Sequence, residues 1–239
     1  LEKLIRKNKI KINKKKIKNS YRLKSGDLIE LYHLEEYYPI KLDTKIKYKP
    51  SSKELKKLSS FVIEDNENFI ILNKPSGIPV QGGTKSFKNI LDIIKETQLF
   101  KNSKPFIVHR IDKETSGLLI IAKNKEYAQL FTSLFRIRKI HKTYIAIVYG
   151  KVSSDIKKLE DELIIYENNK KMTQKAITFL KLIRSSDNYS LLELNPFTGR
   201  KHQLRKQLLN IGHPIVGDTK YFIKKSYKHK NLLLHSYKL

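Results

Sequence analysis

The segment from residue 109 to residue 122 constrains this chain more than any other part of its sequence. Charged and polar side chains dominate residues 109–117, and an apolar run, 118–122, follows at once. The apolar run predicts a buried strand, so Asp112 falls in a loop that a rigid scaffold holds and a ligand can reach. A carboxylate in such a place suits a nucleophile or a base, and the neighbouring Arg110 offers a planar fork of donors for phosphate or carbonyl oxygens. An isolated Arg-x-Asp turn is more often a surface ion pair, but here other segments join it.

Four further segments show strand ends and turns around polar residues. Residues 70–81 form an apolar run that ends in a Pro-Ser-Gly turn, and residues 142–150 predict a strand with a Tyr near its start. Residues 194–205 predict a strand end, a turn and a helix start, and residues 212–218 begin with the glycine that stops this helix.

In this order, the five segments resemble the motifs of the RluA-type pseudouridine synthases. The family pattern is Lys-Pro-x-Gly, His-Arg-Leu-Asp-x-x-Thr-Ser-Gly, Lys-x-Tyr, Thr-Gly-Arg-x-His-Gln-(Ile/Leu)-Arg and Gly-His-Pro-Ile-x-Gly-Asp. The change inside the Asp motif is Ile111 for Leu, which conserves volume. The resemblance spans residues 60–239 and implies an α+β domain around a long, mostly antiparallel mixed sheet flanked by helices.

The resemblance implies that the chain isomerises uridine to pseudouridine in RNA, a reaction that needs no metal, nucleotide or redox cofactor. Asp112 is then the catalytic residue. Its carboxylate could bond to the sugar or to the base, or take a proton from ribose, and the sequence leaves these routes open. Burial would raise the pKa of Asp112, so a cation must lie beside it, and the resemblance assigns this pairing to Arg205.

Five residues are predicted to bind the substrate: Arg110, Tyr144, Arg205, His109 and Leu204. By resemblance, Arg110 helps to extrude the target nucleotide from structured RNA, which requires unstacking of about a few kcal/mol. Tyr144 corresponds to the residue that stacks on the uracil. His109 and His202 are expected to orient neighbouring groups through hydrogen bonds rather than act as bases.

Residues 1–34 predict a small basic unit, since isoleucines alternate with Lys and Asn as in short half-buried strands around a turn. The unit resembles the C-terminal part of the RNA-binding domain named after ribosomal protein S-four, without its first helix. We predict RNA contacts through Arg6, Lys7, Lys9 and Lys14, and through Lys74 in the following region. A solvated lysine-rich hairpin without a ligand is the alternative.

The domain organisation follows from these segments. Residues 35–60 are polar and predict a linker, and residues 61–239 form the catalytic domain. The first residue is not Met, and the last strand stops early by comparison with the family pattern. We therefore expect a fragment that is truncated at both ends.

The amino-acid composition restricts the kinds of molecule that the chain can bind and the kinds of site that it can contain. A net charge of +27 over 239 residues favours a polyanion. Of the 50 basic residues, 42 are Lys and eight are Arg, as in an AT-rich genome, so the arginines are more informative than the lysines. The sequence contains no Cys, which excludes a thiol nucleophile and a Cys-ligated zinc, and no apolar run of about 18 residues. We expect a cytoplasmic bacterial monomer that acts on large-subunit ribosomal RNA and not at a membrane.

Two other functions compete with this interpretation. A non-catalytic RNA-binding or ribosome-assembly factor would need only the positive charge and the N-terminal unit. A metal-dependent nuclease would need clustered carboxylates around Mg²⁺, for which Asp112 and Asp218 are the candidates, without a supporting Asp-x-Asp pair.

Overall fold

A computed structural model describes residues 2–33, 48–82, 88–167, 170–222, 229 and 231–239. The chain divides into two compact units, with the boundary between residues 47 and 48. No helix within these described ranges is both long and apolar enough to cross a membrane.

The N-terminal unit is a short helix followed by a small antiparallel sheet. Its elements are α1 (Glu2–Arg6), β1 (Ile10–Ile12), β2 (Lys15–Lys16) and β3 (Ile29–Leu31), with the strand order β2-β1-β3. Ile10 and Ile12 are buried, and Asn13 and Lys14 turn the chain with positive φ angles of 51° and 63°. Two such residues in succession suit a tight hairpin, and Asn tolerates this conformation well. The predicted short strands around a turn are confirmed.

The second unit contains one large sheet with helices against it. Its helices are α2 (Ser52–Ser59), α3 (Ile90–Ile94), α4 (Lys125–Arg136) and α5 (Gln203–Asn210), with a 3-10 turn at Gln98–Phe100. Its strands are β4 (Val62–Asp65), β5 (Phe69–Lys74), β6 (Phe106–Ile107), β7 (Ser116–Ala122), β8 (Thr143–Tyr149), β9 (Lys158–Glu167), β10 (Lys170–Ser185), β11 (Tyr189–Pro196) and β12 (Leu234–Lys238).

The sheet has the order β4-β5-β7-β12-β8-β11-β10-β9, and β6 pairs with β7. The pair β7–β12 is parallel, and the other pairs are antiparallel. The predicted α+β fold with a mostly antiparallel mixed sheet is therefore confirmed.

Alternation along β7 divides the apolar residues between the two faces of the sheet. Leu119 and Ile121 belong to the larger core cluster, which also contains buried residues of α3 and α5. Ile120 and Ala122 belong to a second cluster, on which α4 packs through Phe131. Both faces of the central strands are thus covered, which gives the loops at the strand ends a rigid base.

The prediction of a linker over residues 35–60 is wrong for its last part. Residues 34–47 lie outside the described residues, but α2 belongs to the second unit. A capping box between Ser51 and Glu54 starts this helix, and Leu58 is buried in the larger core. The polar composition hid the helix, which is held by its cap and by only two apolar contacts with the core, the buried Leu58 and the half-buried Leu55.

The register of the sheet brings residues of the motif segments into one row. Gly117 lies opposite Lys74 on β5 and opposite Ser236 on β12, and Ser236 lies opposite Tyr144 on β8. Tyr144 in turn lies opposite Leu194 on β11. The start of β7, the start of β8 and the end of β11 therefore lie in one row across the sheet.

Gly117 is required for this arrangement. Its φ is +108°, and a Cβ built on it would lie 2.2 Å from the backbone oxygen of Ser236. A side chain here would push β12 away from β7, because the obstacle is backbone rather than a movable side chain.

Candidate active site

A cavity of about 740 Å³ lies where the motif segments meet. Its wall comes from the loop before β7, the end of α4, the start of β8, the turn after β11 and the start of α5. Asp112 lies in this wall with its side chain 25% exposed. A largely formed pocket with a reachable carboxylate is the default candidate for an active site.

The Pro-Ser-Gly turn after β5 holds the backbone that follows Asp112. The amide of Gly77 donates to the carbonyl of Lys113 at 2.8 Å, and the hydroxyl of Ser76 donates to the carbonyl of Glu114 at 2.6 Å. The amide of Thr115 closes the loop by donating to the carbonyl of Asp112 at 3.2 Å. Two segments that are distant in sequence thereby fix the position of one carboxylate.

The prediction that Lys74 contacts RNA is wrong. Its side chain is fully buried, and its ammonium donates to the carbonyls of Pro75 at 2.8 Å, Ile78 at 2.9 Å and Lys113 at 3.1 Å. Burial lowers the pKa of Lys74 to about 8, although the charges of Glu114 and Asp112 oppose this shift. All three donors are engaged, so Lys74 ties the Pro-Ser-Gly turn to the Asp112 loop.

Arg205 has a different partner from the one predicted. Its Nε and Nη2 donate to the two oxygens of Asp218 at 2.8 and 2.6 Å, and its Nη1 lies 3.4 Å from Oε2 of Glu114. The Arg205 side chain is only 1% exposed. The predicted pairing with Asp112 is replaced by pairing with Asp218 and Glu114, and the charge of Arg205 still opposes the rise in the pKa of Asp112.

Burial raises the pKa of Asp112 above its ordinary value. The charge of Arg205 opposes this shift most strongly, Glu114 adds to it, and Arg110 and Lys201 oppose it further. The carboxylate is thus balanced between desolvation, which favours the protonated form, and surrounding cations, which favour the ionised form.

His202 is the residue that approaches the Asp112 side chain from α5. Its Nε2 lies 3.7 Å from Oδ1 of Asp112, and its Nδ1 lies 2.6 Å from the hydroxyl of Tyr221. It begins the helix with a left-handed backbone, φ 54° and ψ 31°, which is uncommon outside glycine. Burial, followed by the charges of Lys220 and Arg205, lowers the pKa of His202 to about 4, so the ring is neutral at pH 7.

A buried network of amides and hydroxyls fixes the turn before α5. The Gln203 side chain accepts from the hydroxyl of Thr198 at 2.8 Å and from the amide of Arg200 at 3.0 Å. It also donates to the carbonyl of Ile177 at 3.0 Å on β10. Since every polar atom of Gln203 is used, the turn that carries His202 and Arg205 has one position relative to the sheet.

The remaining predicted substrate residues take distinct places. His109 accepts from the amide of Ile120 through Nε2 at 2.9 Å and stacks on Phe135, and burial lowers its pKa to about 3. His109 is therefore neutral at pH 7, and its hydrogen bond to Ile120 fixes the loop to β7. Tyr144 and Leu204 are buried in the cavity wall, whereas Arg110 is exposed at the cavity. Burial raises the pKa of Tyr144 to about 12, so its hydroxyl is protonated.

Arginine is concentrated in this cavity. Five of the eight arginines in the chain line it: Arg110, Arg136, Arg138, Arg200 and Arg205. The motif reasoning identified Arg110, Arg200 and Arg205 and missed the two at the end of α4. The scarcity of Arg in a lysine-rich chain was the signal that could have found them.

In the N-terminal unit, Arg6, Lys7 and Lys14 are exposed, and Lys9 is half-buried. Asp27 and Glu30 serve polar groups that shape the turns. Asp27 accepts from the Asn13 amide, the Tyr21 hydroxyl and the Lys24 backbone, and Glu30 accepts from the Lys14 backbone.

Comparison with known proteins identifies the class. The family model described as RNA pseudouridylate synthase matches residues 68–210, and that of the S4 domain matches residues 1–29. The chain is therefore a member of the RNA pseudouridylate synthase family, and it is an RNA pseudouridine synthase.

Named relatives and a solved structure agree with this. The ribosomal large subunit pseudouridine synthase C of Buchnera aphidicola from Acyrthosiphon pisum is 36% identical, over 98% of this chain and 77% of that protein. The protein of the same name from Rickettsia felis is 37% identical, over 99% and 81%. The human RNA pseudouridylate synthase domain containing 4 is similar in structure, with a TM-score of 0.61 and 27% identity over 76% of this chain and 84% of that one.

Proposed function

We propose that this enzyme converts specific uridines of large-subunit ribosomal RNA to pseudouridine, with Asp112 as its reactive carboxylate and without a cofactor. The relatives that match nearly the whole chain are named ribosomal large subunit pseudouridine synthase C. The observation that carries the role of Asp112 is its place in the cavity, on a loop tied down by Lys74 and the Pro-Ser-Gly turn and faced by His202 and Arg205.

The reaction breaks the bond between C1′ of ribose and N1 of uracil and forms a bond between C1′ and C5. The hydrogen on C5 leaves as a proton, and N1 gains one, so the formula is unchanged. An ionised Asp112 could attack C1′ or C6, or take the proton from C2′, and each route requires the carboxylate without its proton. The cations around Asp112 favour that form.

Arg205 is assigned a positioning role in this scheme. Its bidentate pairing with Asp218 holds the guanidinium in place, and its charge stabilises the ionised Asp112. Glu114 takes the third arm and limits the net positive charge near the carboxylate. A lysine could supply the charge but not the planar fork.

His202 and Tyr221 are assigned the orientation of Asp112. If the Tyr221 hydroxyl donates to Nδ1, the ring proton of the neutral His202 lies on Nε2, facing the carboxylate. A small closure of the 3.7 Å gap on substrate binding would make this a hydrogen bond.

The substrate is held by the rest of the cavity. Tyr144 and Leu204 supply buried apolar surface for the uracil, and the exposed Arg110 assists extrusion of the nucleotide. Arg6, Lys7, Lys9 and Lys14 bind RNA phosphates in the N-terminal unit. We propose a monomeric enzyme that acts in the cytoplasm, with a domain boundary near residue 47.

A metal-dependent nuclease fits this site poorly. Both carboxylate oxygens of Asp218 accept hydrogen bonds from Arg205, and one of them also accepts from the backbone amides of Lys220 and Tyr221. A buried arginine thus occupies the place that a Mg²⁺ ion would need beside Asp218.

Release of tritium from C5 tests the proposal. Unmodified large-subunit ribosomal RNA, transcribed with tritium at C5 of its uridines, is incubated with the wild type, with Asp112→Asn and with Asp187→Asn. Asp187 is exposed and outside the cavity, and it provides the matched control. We expect the wild type and Asp187→Asn to release tritium alike, and Asp112→Asn to be slower by roughly 10²–10⁴-fold at unchanged RNA affinity. An active Asp112→Asn would refute the assigned role.

A further inference from the structure

The mouth of the cavity carries an arginine stacked on an aromatic ring. The guanidinium of Arg138 lies 4.2 Å from the ring centroid of Phe197, and both residues line the cavity. Arg138 is exposed, and Phe197 keeps 47% of its surface exposed. A second ring, Phe179, lines the same cavity at 49% exposure. An exposed, cationic aromatic surface of this kind is what unpaired nucleobases stack on.

The backbone at Arg138 is adapted to present this side chain. After α4, the amide of Arg138 bonds to the carbonyl of Phe135, and the amide of Lys139 bonds to the carbonyl of Leu134. This pair of bonds is a Schellman ending, in which the left-handed residue is usually glycine. Here it is Arg138, with φ +60°. An arginine held in a conformation that glycine adopts more easily suggests that its side chain has a use.

The backbone of Phe197 is also held by hydrogen bonds. Its amide donates to the carbonyl of Ile177 at 3.0 Å, and the next residue, Thr198, is held by Gln203. The exposed ring is therefore carried by a backbone that hydrogen bonds tie to β10 and α5.

Lys142 adds a half-buried cation beside this stack. The Lys142 ammonium lies close to Gly199, since a Cβ built on this glycine would be 3.5 Å from it. Burial lowers the pKa of Lys142, and the charge of Arg138 lowers it further. Across the described residues, no hydrogen bond or ion pair engages the Lys142 ammonium. A cation placed in this way suits a phosphate.

We propose that Arg138 and Phe197 form a stacking subsite for the unpaired nucleobase next to the target uridine, with Lys142 on the phosphate between the two nucleotides. Asp112, Arg138 and Phe197 line the same cavity, so an extruded uridine at Asp112 and its neighbour at the stack would occupy one continuous space. The subsite accepts any base, because stacking does not depend on base-edge hydrogen bonds. It rests on the proposed function, since it assumes an RNA substrate whose uridine enters this cavity.

Fluorescence of a stacked base tests the subsite directly. The probe is a nine-nucleotide RNA with 2-aminopurine at its centre and uridine elsewhere, bound to protein carrying Asp112→Asn so that no turnover occurs. In this background the fluorescence should fall on binding. Phe197→Leu and Arg138→Gln should each lose at least half of this quenching and bind the probe roughly 5- to 100-fold more weakly.

Two exposed residues outside the cavity provide matched controls. Tyr237→Leu and Arg184→Gln make the same kinds of change at surface positions and should quench and bind as the parent does. Quenching that persists in both Phe197→Leu and Arg138→Gln would overturn the subsite. Equal losses in the control variants would also overturn it, since the effect would then be unspecific.

Kinetics on ribosomal RNA separate this proposal from the function on which it rests. With Asp112 intact, Phe197→Leu should raise KM for pseudouridine formation and leave kcat within twofold of the wild type. Wild-type KM in both Phe197→Leu and Arg138→Gln, with normal pseudouridine formation, would remove the subsite and leave the proposed function standing. Quenching lost in these variants, with no pseudouridine made by the wild type, would remove the ribosomal function and support the stacking surface alone.

Discussion

The N-terminal unit and the cavity both carry positive charge, but they use their acidic residues differently. In the N-terminal unit, Asp27 and Glu30 accept from Asn, Tyr and backbone donors, so they shape turns and leave the exposed lysines to solvent. Beside the cavity, Asp218 forms a bidentate ion pair with Arg205 and fixes it in a buried position. The N-terminal unit presents diffuse charge suited to phosphates, and the cavity contains a fixed, buried cation that opposes the rise in the pKa of Asp112.

The largest effect is expected at the fixed cation. Arg205→Lys keeps a charge near Asp112 but loses the fork onto Asp218, so kcat should fall by about 100-fold, with RNA affinity nearly unchanged. Single-turnover kinetics and filter binding on ribosomal RNA measure the two quantities. Wild-type kcat in this variant would mean that charge alone suffices and that the geometry of the pair is unimportant.

The diffuse surface should respond in affinity instead. Replacing Arg6, Lys7, Lys9 and Lys14 together by Gln removes up to four phosphate contacts. We expect binding roughly 30-fold weaker and the slope of log K against log salt reduced by about 3. KM should change far more than kcat. An unchanged salt slope would show that these side chains do not contact phosphates, and the contrast between the two surfaces would then fail.

Lys74 tests the difference between RNA binding and support of the active site. Its place in the sequence suggested an RNA contact, whereas its hydrogen bonds tie it to the Asp112 loop. Lys74→Met removes the ammonium donor from three carbonyls, of which that of Lys113 keeps the Gly77 amide, and this loss costs about 1–3 kcal/mol in the free energy of unfolding. Loosening of the Asp112 loop should lower kcat by about tenfold. The salt slope of RNA binding, measured alongside, should stay at the wild-type value. A lower slope with normal kcat would restore Lys74 as an RNA contact.

The smallest effect is a shift in pH dependence. Burial raises the pKa of Asp112, and Arg110 is among the cations that oppose this shift. Arg110→Gln removes one such charge, so the acid limb of kcat/KM should move to higher pH, by less than about one unit because the residue is exposed. Arg184→Gln, an exposed arginine outside the cavity, should leave the limb in place. A limb that moves to lower pH in Arg110→Gln would contradict the assignment of the limb to Asp112.

The sequence predicted the local elements better than their long-range partners. The strand after Asp112 and the turn after β5 follow from apolar runs, Pro and Gly, which act within a few residues. The bond between Arg205 and Asp218 and that between His202 and Tyr221 join residues 13 and 19 positions apart through a loop, and no local pattern specifies them.

Lys74 and Arg138 show two further limits. A lysine before a proline looks exposed, and only the pairing of β5 with β7 reveals that its ammonium is enclosed. Arg138 sits at a helix end where the sequence offers no glycine, so its left-handed backbone could not be foreseen from the usual stop signals. In both cases the tertiary surroundings decide what the residue does.

The central claim is that Asp112 makes pseudouridine at defined positions of ribosomal RNA. Carbodiimide-based primer extension on unmodified large-subunit ribosomal RNA, incubated in EDTA with the wild type, Asp112→Asn or Asp187→Asn, tests it most directly. We predict new stops at specific uridines with the wild type and Asp187→Asn, and none with Asp112→Asn. Stops that persist with Asp112→Asn, or their absence with a wild type that binds the RNA tightly, would contradict the account.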